Sequence, residues 1–296
     1  MNKGIWYAVG AYFLWGILPV YWKMLHTVSA AQVIGHRIGW SFIFLVLILL
    51  VTGRMRNFRT TAMTRANFKI YAVAGVLVTI NWLIYVWAVN ADHIIETSLG
   101  YFINPLVSVL LGVIFLRERL RPLQWLPIGL ATAGVVYLTF EYGRLPWIAI
   151  ALALSFGLYG LVKKTAPLSS LYGMTMETGI VFLPALAYLS YAEFTGQGAF
   201  GHSGSTINLF LAGTGIVTAV PLLMFASAAQ RIPLTLVGVL QYIAPTLQFL
   251  IGVLIYQEPF SHTQLIGFGI VWAALIIFWV EGWMARRASV VIAPAD

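Results

Sequence analysis

Cysteine is absent from this sequence and acids are scarce: nine Asp and Glu stand against seventeen Lys and Arg in 296 residues, and charged residues together make only 9%. The first absence excludes disulfides and thiol chemistry. The second excludes an ordinary soluble domain, in which about a quarter of residues are charged. What fills the chain instead is apolar, with 60% hydrophobic residues and a mean hydropathy of +0.89. Crossing roughly 30 Å of hydrocarbon takes about 20 such residues. Ten runs qualify, at 4–24, 32–52, 69–90, 94–116, 123–140, 146–162, 172–191, 207–229, 232–256 and 263–283. Runs such as FIFLVLILLV (42–51) do not alternate, which argues against a barrel. The expected fold is therefore an all-α polytopic membrane protein of ten transmembrane helices.

No polar stretch is long enough for a soluble domain; the longest connections, about 53–68 and 193–206, read as loops. The first apolar run is long, lacks a small-residue cleavage site and precedes nine others, so it reads as a helix and not as a signal peptide. The net charge of +8 is explained by topology. With ten spans, one side receives fourteen of the seventeen Lys and Arg, from Lys3 through the 54–69 cluster to Arg286 and Arg287. The other side keeps Lys23 and Arg144, and Arg37 falls inside a span. By the positive-inside rule both termini are expected in the cytoplasm. Lipid then replaces nucleic acid as the partner that the charge implies.

Residues 98–120 and 238–260 carry nearly the same message. Aligned at an offset of 140, 101–140 and 241–280 share nine of forty positions, among them Pro105 and Pro245, Gly112 and Gly252, Glu118 and Glu258, Gln124 and Gln264, and Gly129 and Gly269. These residues carry backbone meaning that shared hydrophobicity alone does not supply. At an offset of 141, Trp6 matches Trp147, Gly16 matches Gly157 and Lys23 matches Lys164, so the repeat begins at the first helix. Two units follow, 4–140 and 146–283, with a tail at 284–296 expected in the cytoplasm. Five spans per unit is an odd number, so the second unit should enter the bilayer inverted. Inverted repeats build secondary transporters with a site near the midplane.

A resemblance adds to this reading. RERLRPLQWLPIGLATAGVVYL and QEPFSHTQLIGFGIVWAALII resemble the ends of the two EamA units of the drug/metabolite transporter superfamily. AYFLWGILPVYWK (11–23), HRIGWSF (36–42), NWLIYVWAVN (81–90) and SLGYFINPL (98–106) resemble the RarD subgroup, and the likeness covers about 4–283. It implies ten helices in two bundled halves, a bacterial inner-membrane location and a carrier, usually an exporter, of small molecules. The subgroup is commonly labelled as affecting chloramphenicol sensitivity, which leaves the natural substrate open.

Candidate site residues follow from polarity inside spans, where a charge is costly. Arg37 lies about five residues into the second span, or roughly 8 Å. It either snorkels outward or faces inward to hold an anionic group, because guanidinium pairs bidentately with carboxylate. Glu96 sits at similar depth, so Arg37, Glu96 and His36 are expected to form an outer gating cluster. Glu177, the repeat counterpart of His36, is expected to pair with Lys164 or Arg231 in an inner one. His36 and Glu177 both titrate near neutral pH when shifted, which leaves proton coupling open.

On the fourth and ninth spans Tyr101 and Ser108, seven residues apart, match Gln241 and Gln248. Such faces meet either a cavity or a neighbouring helix. Asn104 beside Pro105, Tyr242, and the Asn81, Trp82, Tyr85 face of the third span complete the expected binding set, with aromatic walls suited to an amphipathic solute. Many of the aromatic residues must instead pack or form an interfacial belt. The Gly35-x-x-x-Gly39, Gly129-x-x-x-Ala133 and Gly269-x-x-x-Ala273 patterns read as close helix contacts, and Glu118 and Glu258 as caps of the next helix. Pro19, Pro105, Pro221 and Pro245 are candidate bend points.

No H-E-x-x-H or G-x-S-x-G pattern occurs, and GTGIVT (213–218) lies inside a span, so an intramembrane enzyme is the weaker alternative, beside an oligomeric channel or scaffold. No metal or organic cofactor is indicated.

Overall fold

The computed structural model of the chain describes residues 2–91, 93–142, 145–257 and 262–291, without the side chains of 89, 90, 94–96, 141, 142, 264 and 285–291. The roles expected of Glu96, Arg144, Glu258, Gln264, Arg286 and Arg287 therefore lie outside the described residues. Every regular element among the described residues is helical. The order is α1 (Lys3–Lys23), α2 (Ala30–Val51), a short α3 (Met55–Ala62), α4 (Arg65–Asn90) and α5 (Ile94–Phe115). A 3₁₀ turn at Pro122–Gln124 leads into α6 (Trp125–Tyr142), α7 (Trp147–Thr165), α8 (Ser170–Phe194) and α9 (Ser205–Arg231). The chain continues as α10 (Leu234–Gln241), α11 (Ile243–Leu254) and α12 (His262–Val291).

Among the described residues nine helices, with α10 and α11 taken as one, are long and apolar enough to cross a membrane. The 25-residue α8 falls outside that set; its buried side carries Thr175, Glu177 and Thr178. Large apolar side chains such as Leu47, Ile114, Leu254 and Ile276 stand on the outside of the bundle. Water would penalise a belt of that size, and lipid accepts it.

The helix pairings exchange under the repeat offset. Helix α1 packs on α11 and α9, as α7 packs on α5 and α4. Helix α2 lies against α9, as α8 lies against α4. The remaining large contacts join matching elements: α2 with α8, α5 with α10, and α6 with α12. Glycines set the closest approaches. A Cβ on Gly16 would come within 2.7 Å of Leu247, and one on its counterpart Gly157 within 2.6 Å of Val107, which is itself the counterpart of Leu247.

Two faces can be told apart by what meets there. At the first, a Cβ on Gly4 would lie 2.7 Å from Ile232, Lys164 Nζ donates to the Ile232 carbonyl at 2.7 Å, and Glu118 reaches α10. Arg121 grips Glu281 with two 2.7 Å bonds, so the end of α12 shares this face with the start of α1. At the second face Tyr21 donates to the Phe210 carbonyl, and Gln32 bonds Gln197 and Ala199. The two long connections lie at opposite ends of α2. Phe58 and Ala62 of α3 pack with Leu49, Tyr71, Leu168 and Met176 at its far end, whereas residues 197–199 meet Gln32 near its start.

Three expectations need correction. Glu118 does not cap the helix that follows it. Its carboxylate accepts from the backbone N–H groups of Leu234 and Thr235 at 2.6 and 2.8 Å, so it caps α10 of the other half. Such a cap satisfies donors that the first helical turn leaves over. Gly129 and Gly269 face open space, and the α6–α12 contact is made by Gly134 against Ile270 and by Gly267 against Leu138. The matched prolines also act unequally. α5 runs unbroken through Pro105, whereas the ninth segment divides at Tyr242, three residues before Pro245.

Candidate functional site

Between the halves lies a cavity of about 160 Å³. Its walls come from α1 (Tyr12, Trp15, Pro19, Trp22), α2 (Arg37), α4 (Asn81, Trp82, Tyr85) and α5 (Thr97, Gly100, Tyr101, Asn104) of the first half. They are completed by α7 (Leu152, Phe156), α9 (Leu222), and α10 and α11 (Gln241, Ala244, Pro245, Gln248) of the second, whose helices interleave with the first. Eight residues expected from polarity thus share one wall system: Arg37, Asn81, Trp82, Tyr85, Tyr101, Asn104, Gln241 and Gln248.

Arg37 does not snorkel. Its guanidinium meets the faces of two indoles, with the carbon 4.7 Å from the Trp22 ring and 4.4 Å from the Trp82 ring. Its Nε donates to Thr218 Oγ1 at 3.1 Å. That reach depends on the GTGIVT stretch. Gly215 lets α9 approach α2 so closely that any Cβ there would collide with the Trp40 backbone, and Ser41 Oγ donates to the Gly215 carbonyl at 3.1 Å. The glycine pattern thus serves helix contact and places Thr218 beneath the arginine. Among the described residues, no carboxylate makes an ion pair with Arg37.

The amides divide into held and unheld. Asn81 Nδ2 donates to the Leu152 carbonyl at 2.9 Å and to Ser155 Oγ at 3.0 Å, tying α4 to α7. Gln248 Nε2 donates to the Trp15 carbonyl at 3.1 Å, tying α11 to α1. By contrast Asn104 Oδ1, Gln241 Oε1 and the Tyr12 hydroxyl are buried without a hydrogen-bond partner. A buried polar group left unmatched costs free energy, so these three atoms at a cavity wall mark places where a solute group can bind. Tyr85 and Tyr101 stand 6.0 Å apart, edge to face, on the same wall.

Toward the first face the cavity is floored. Tyr12, Trp15, Phe156, Tyr159 and Phe225 form one ring cluster with centroid spacings of 5.2 to 6.3 Å. Beyond it Lys163 Nζ bonds Glu177 Oε2 at 2.8 Å, and the Tyr159 hydroxyl donates to Glu177 Oε1 at 2.9 Å. Both charged residues are only 1% exposed.

This overturns the pairing expected for Glu177. Lys164 points instead at the Ile232 carbonyl, and Arg231 Nη1 donates to the Ser227 carbonyl at 2.8 Å. The register of α7 explains the choice. Ser155, Tyr159 and Lys163 recur at four-residue steps on its buried face, and Lys164 is turned one position away.

Two other expected residues lie elsewhere. His36 turns away from Arg37 into a separate outer recess with Gln32, Glu193 and Phe200, its ring 5.4 Å from that of Phe200. Neighbours in sequence sit about 100° apart on a helix, so they do not share a face. Tyr242 donates to the Phe102 carbonyl at 3.2 Å inside a packed cluster with Ala131, Val135, Val271 and Ala274. Neither is among the described residues that line the central cavity. Trp15, Trp22, Tyr12 and Phe156 were missed, because nothing local in the sequence distinguishes a cavity-facing ring from a packed one.

Helices, apolar belt and a cavity that sets a few polar groups among aromatic rings together define a polytopic membrane protein with an internal site for a small solute. The EamA-like transporter family matches residues 2–140 and again 145–280. The chain belongs to that family. It is similar to the uncharacterized transporter YojE of Bacillus subtilis, 43% identical with 97% of each chain covered. Protein RarD of Escherichia coli is 41% identical, again over 97% of each. Protein RarD of Streptomyces exfoliatus is 43% identical over 97% of this chain and 91% of that one. The resemblance read from the sequence motifs is thereby borne out, and the protein is a membrane transporter, not an enzyme. A solved crystal structure, 18% identical, superposes with a TM-score of 0.71 over 95% of this chain and 98% of that one, a likeness of fold.

Proposed function

We propose that the protein is a secondary transporter that moves small amphipathic organic molecules across the bacterial inner membrane by alternating access, in the direction of export. The observation that carries this reading is the central cavity, walled by both halves and floored toward the first face by packed rings and the Lys163–Glu177 pair. A carrier must open one pocket to either side in turn, and two inverted halves provide two related arrangements of the same contacts. The exchanging helix pairings and the matched Gly16–Leu247 and Gly157–Val107 contacts support inversion, as does the placing of the two long connections at opposite ends of α2. In this reading α8 is a tenth span, its acid neutralised internally by Lys163, and the first face, rich in Lys and Arg, is cytoplasmic. The arrangement described is then open outward, with the aromatic layer and the Lys163–Glu177 pair as the inner closure.

The test is reconstitution into liposomes loaded with a metabolite panel. Counterflow of a labelled solute is expected, abolished by R37Q. Conversion of a solute in place of movement would overturn the proposal, as would channel-like flux that lacks counterflow.

A further inference from the structure

The chemistry of the cavity wall narrows the solute further, and that narrowing rests on the protein being the transporter proposed. Among the described residues that line the cavity, Arg37 is the only one carrying a formal charge. Among the described residues its surroundings are neutral: two indole faces and the hydroxyls of Thr218, Tyr85 and Tyr101. Both rings present their faces to the guanidinium carbon, whose N–H donors lie in the guanidinium plane. With Nε engaged by Thr218, the terminal nitrogens keep the forked edge that fits a carboxylate. A neutral shell makes a buried cation tolerable without cancelling it, so the site holds a standing attraction for one negative charge.

The rest of the wall offers the opposite kind of group. Asn104 Oδ1, Gln241 Oε1 and the Tyr12 oxygen, on residues 5%, 6% and 0% exposed, are buried without partners. Pro105 and Pro245 add to this, since a proline has no N–H for the carbonyl four residues before it, here Tyr101 and Gln241. The two amide oxygens accept N–H or O–H, the Tyr12 hydroxyl donates as well as accepts, and all three are uncharged. An ammonium group would exchange water for neutral acceptors only and would feel Arg37 besides, which makes its desolvation costly. A hydroxyl or amide suits them better. The remaining surface is aromatic: Trp15, Trp22, Trp82, Tyr85, Tyr101 and Phe156. Size agrees, since a cavity of about 150 Å³ accommodates benzene, and this one measures about 160 Å³ with an open side.

We infer that the solute class is the single-ring aromatic monocarboxylate bearing a neutral hydrogen-bond donor, carried as a monoanion with its charge uncompensated. The carboxylate sits on Arg37, the ring lies among the indoles and phenols, and the donor meets Asn104 or Gln241. Each cycle then moves one negative charge. An inside-negative potential drives such a solute outward with no coupling ion, at roughly fifty-fold concentration ratio per 100 mV. The potential therefore sets the direction of export.

Three probes share one ring and one hydroxyl and differ in charge: 4-hydroxyphenylacetate, tyrosine and tyramine. Labelled forms of each are offered at neutral pH to proteoliposomes of the full chain and to protein-free vesicles. Valinomycin and potassium gradients set the lumen positive, negative or at zero potential, with sodium and proton gradients varied separately. The expected result is protein-dependent accumulation of 4-hydroxyphenylacetate in positive lumens, reversed by a negative one, with tyrosine and tyramine at least tenfold slower. R37Q removes the accumulation, and N104L weakens it while leaving the response to potential unchanged. Preference for tyrosine or tyramine overturns the inference, as does accumulation that follows a sodium or proton gradient in place of the potential. If none of the three moves but another solute shows counterflow, this inference fails and the transport reading stands. If no solute of any charge moves, both fail.

Discussion

Lys163 Nζ and Glu177 Oε2 lie 2.8 Å apart in the interior of the bundle, with Tyr159 completing the carboxylate's second oxygen. Removing one member strands the other charge, which costs about 3–5 kcal/mol, whereas replacing both by apolar residues of similar volume is close to neutral. K163M is therefore expected to lower the thermal unfolding midpoint in detergent sharply, and K163M/E177L to restore most of it. A K163M midpoint equal to wild type would show that the pair does not hold the fold.

Arg37 is held by ring faces as well as by a hydroxyl, so its planarity counts as much as its charge. R37K keeps the charge but loses the planar contact with the Trp22 and Trp82 rings and the fork. Solute affinity should fall about tenfold, equivalent to ~1.4 kcal/mol, and R37Q should fall further. Binding titrations by native tryptophan emission would check this, and equal affinity for R37K would contradict it.

Glu118 holds the amino end of α10 from the opposite half. E118A is expected to cost about 1–2 kcal/mol, the range for a lost helix cap. The loss should be local. Hydrogen exchange should speed up at Leu234 and Thr235 first, and unchanged protection there would refute the cap.

Gly16 and Gly157 allow matched close approaches. G16V should destabilise by roughly 1–3 kcal/mol through overpacking against Leu247, and L247A in the same chain should recover part of that loss. The pair G157V and V107A should behave the same way. A double-mutant cycle with no coupling in either pair would argue against the matched contacts.

His36 faces the outer recess and not the cavity. H36A should change solute affinity by less than about twofold, the size of effect expected away from a site. Flux across a pH series should keep its shape. A lost pH dependence in H36A would make the recess part of a proton path.

Hydrophobic run lengths located the helices because the bilayer imposes a length that composition reveals directly. Side-chain polarity located most of the cavity for a related reason: a polar group such as Asn81 or Gln241 inside an apolar run needs a partner or a cavity. What failed was facing. His36 and Arg37 are adjacent in sequence and point to different cavities, and Lys163 rather than Lys164 meets Glu177. In the second case the answer was available, since Ser155 and Tyr159 mark the buried register of α7. The indoles around Arg37 were not available in that way. Trp22 and Trp82 come from different helices, and their meeting depends on how α1, α2 and α4 pack, which no local pattern encodes. Glu118 shows the same limit, because its capping partner lies 116 residues away.

The interruption at Tyr242 distinguishes the two halves. α5 is one continuous helix, while its counterpart is broken for a single residue that keeps right-handed helical dihedrals and whose hydroxyl donates to the Phe102 carbonyl. In the alternating access proposed above, that asymmetry would let one half flex where the other does not, so the outward and inward postures of the carrier would differ in lifetime.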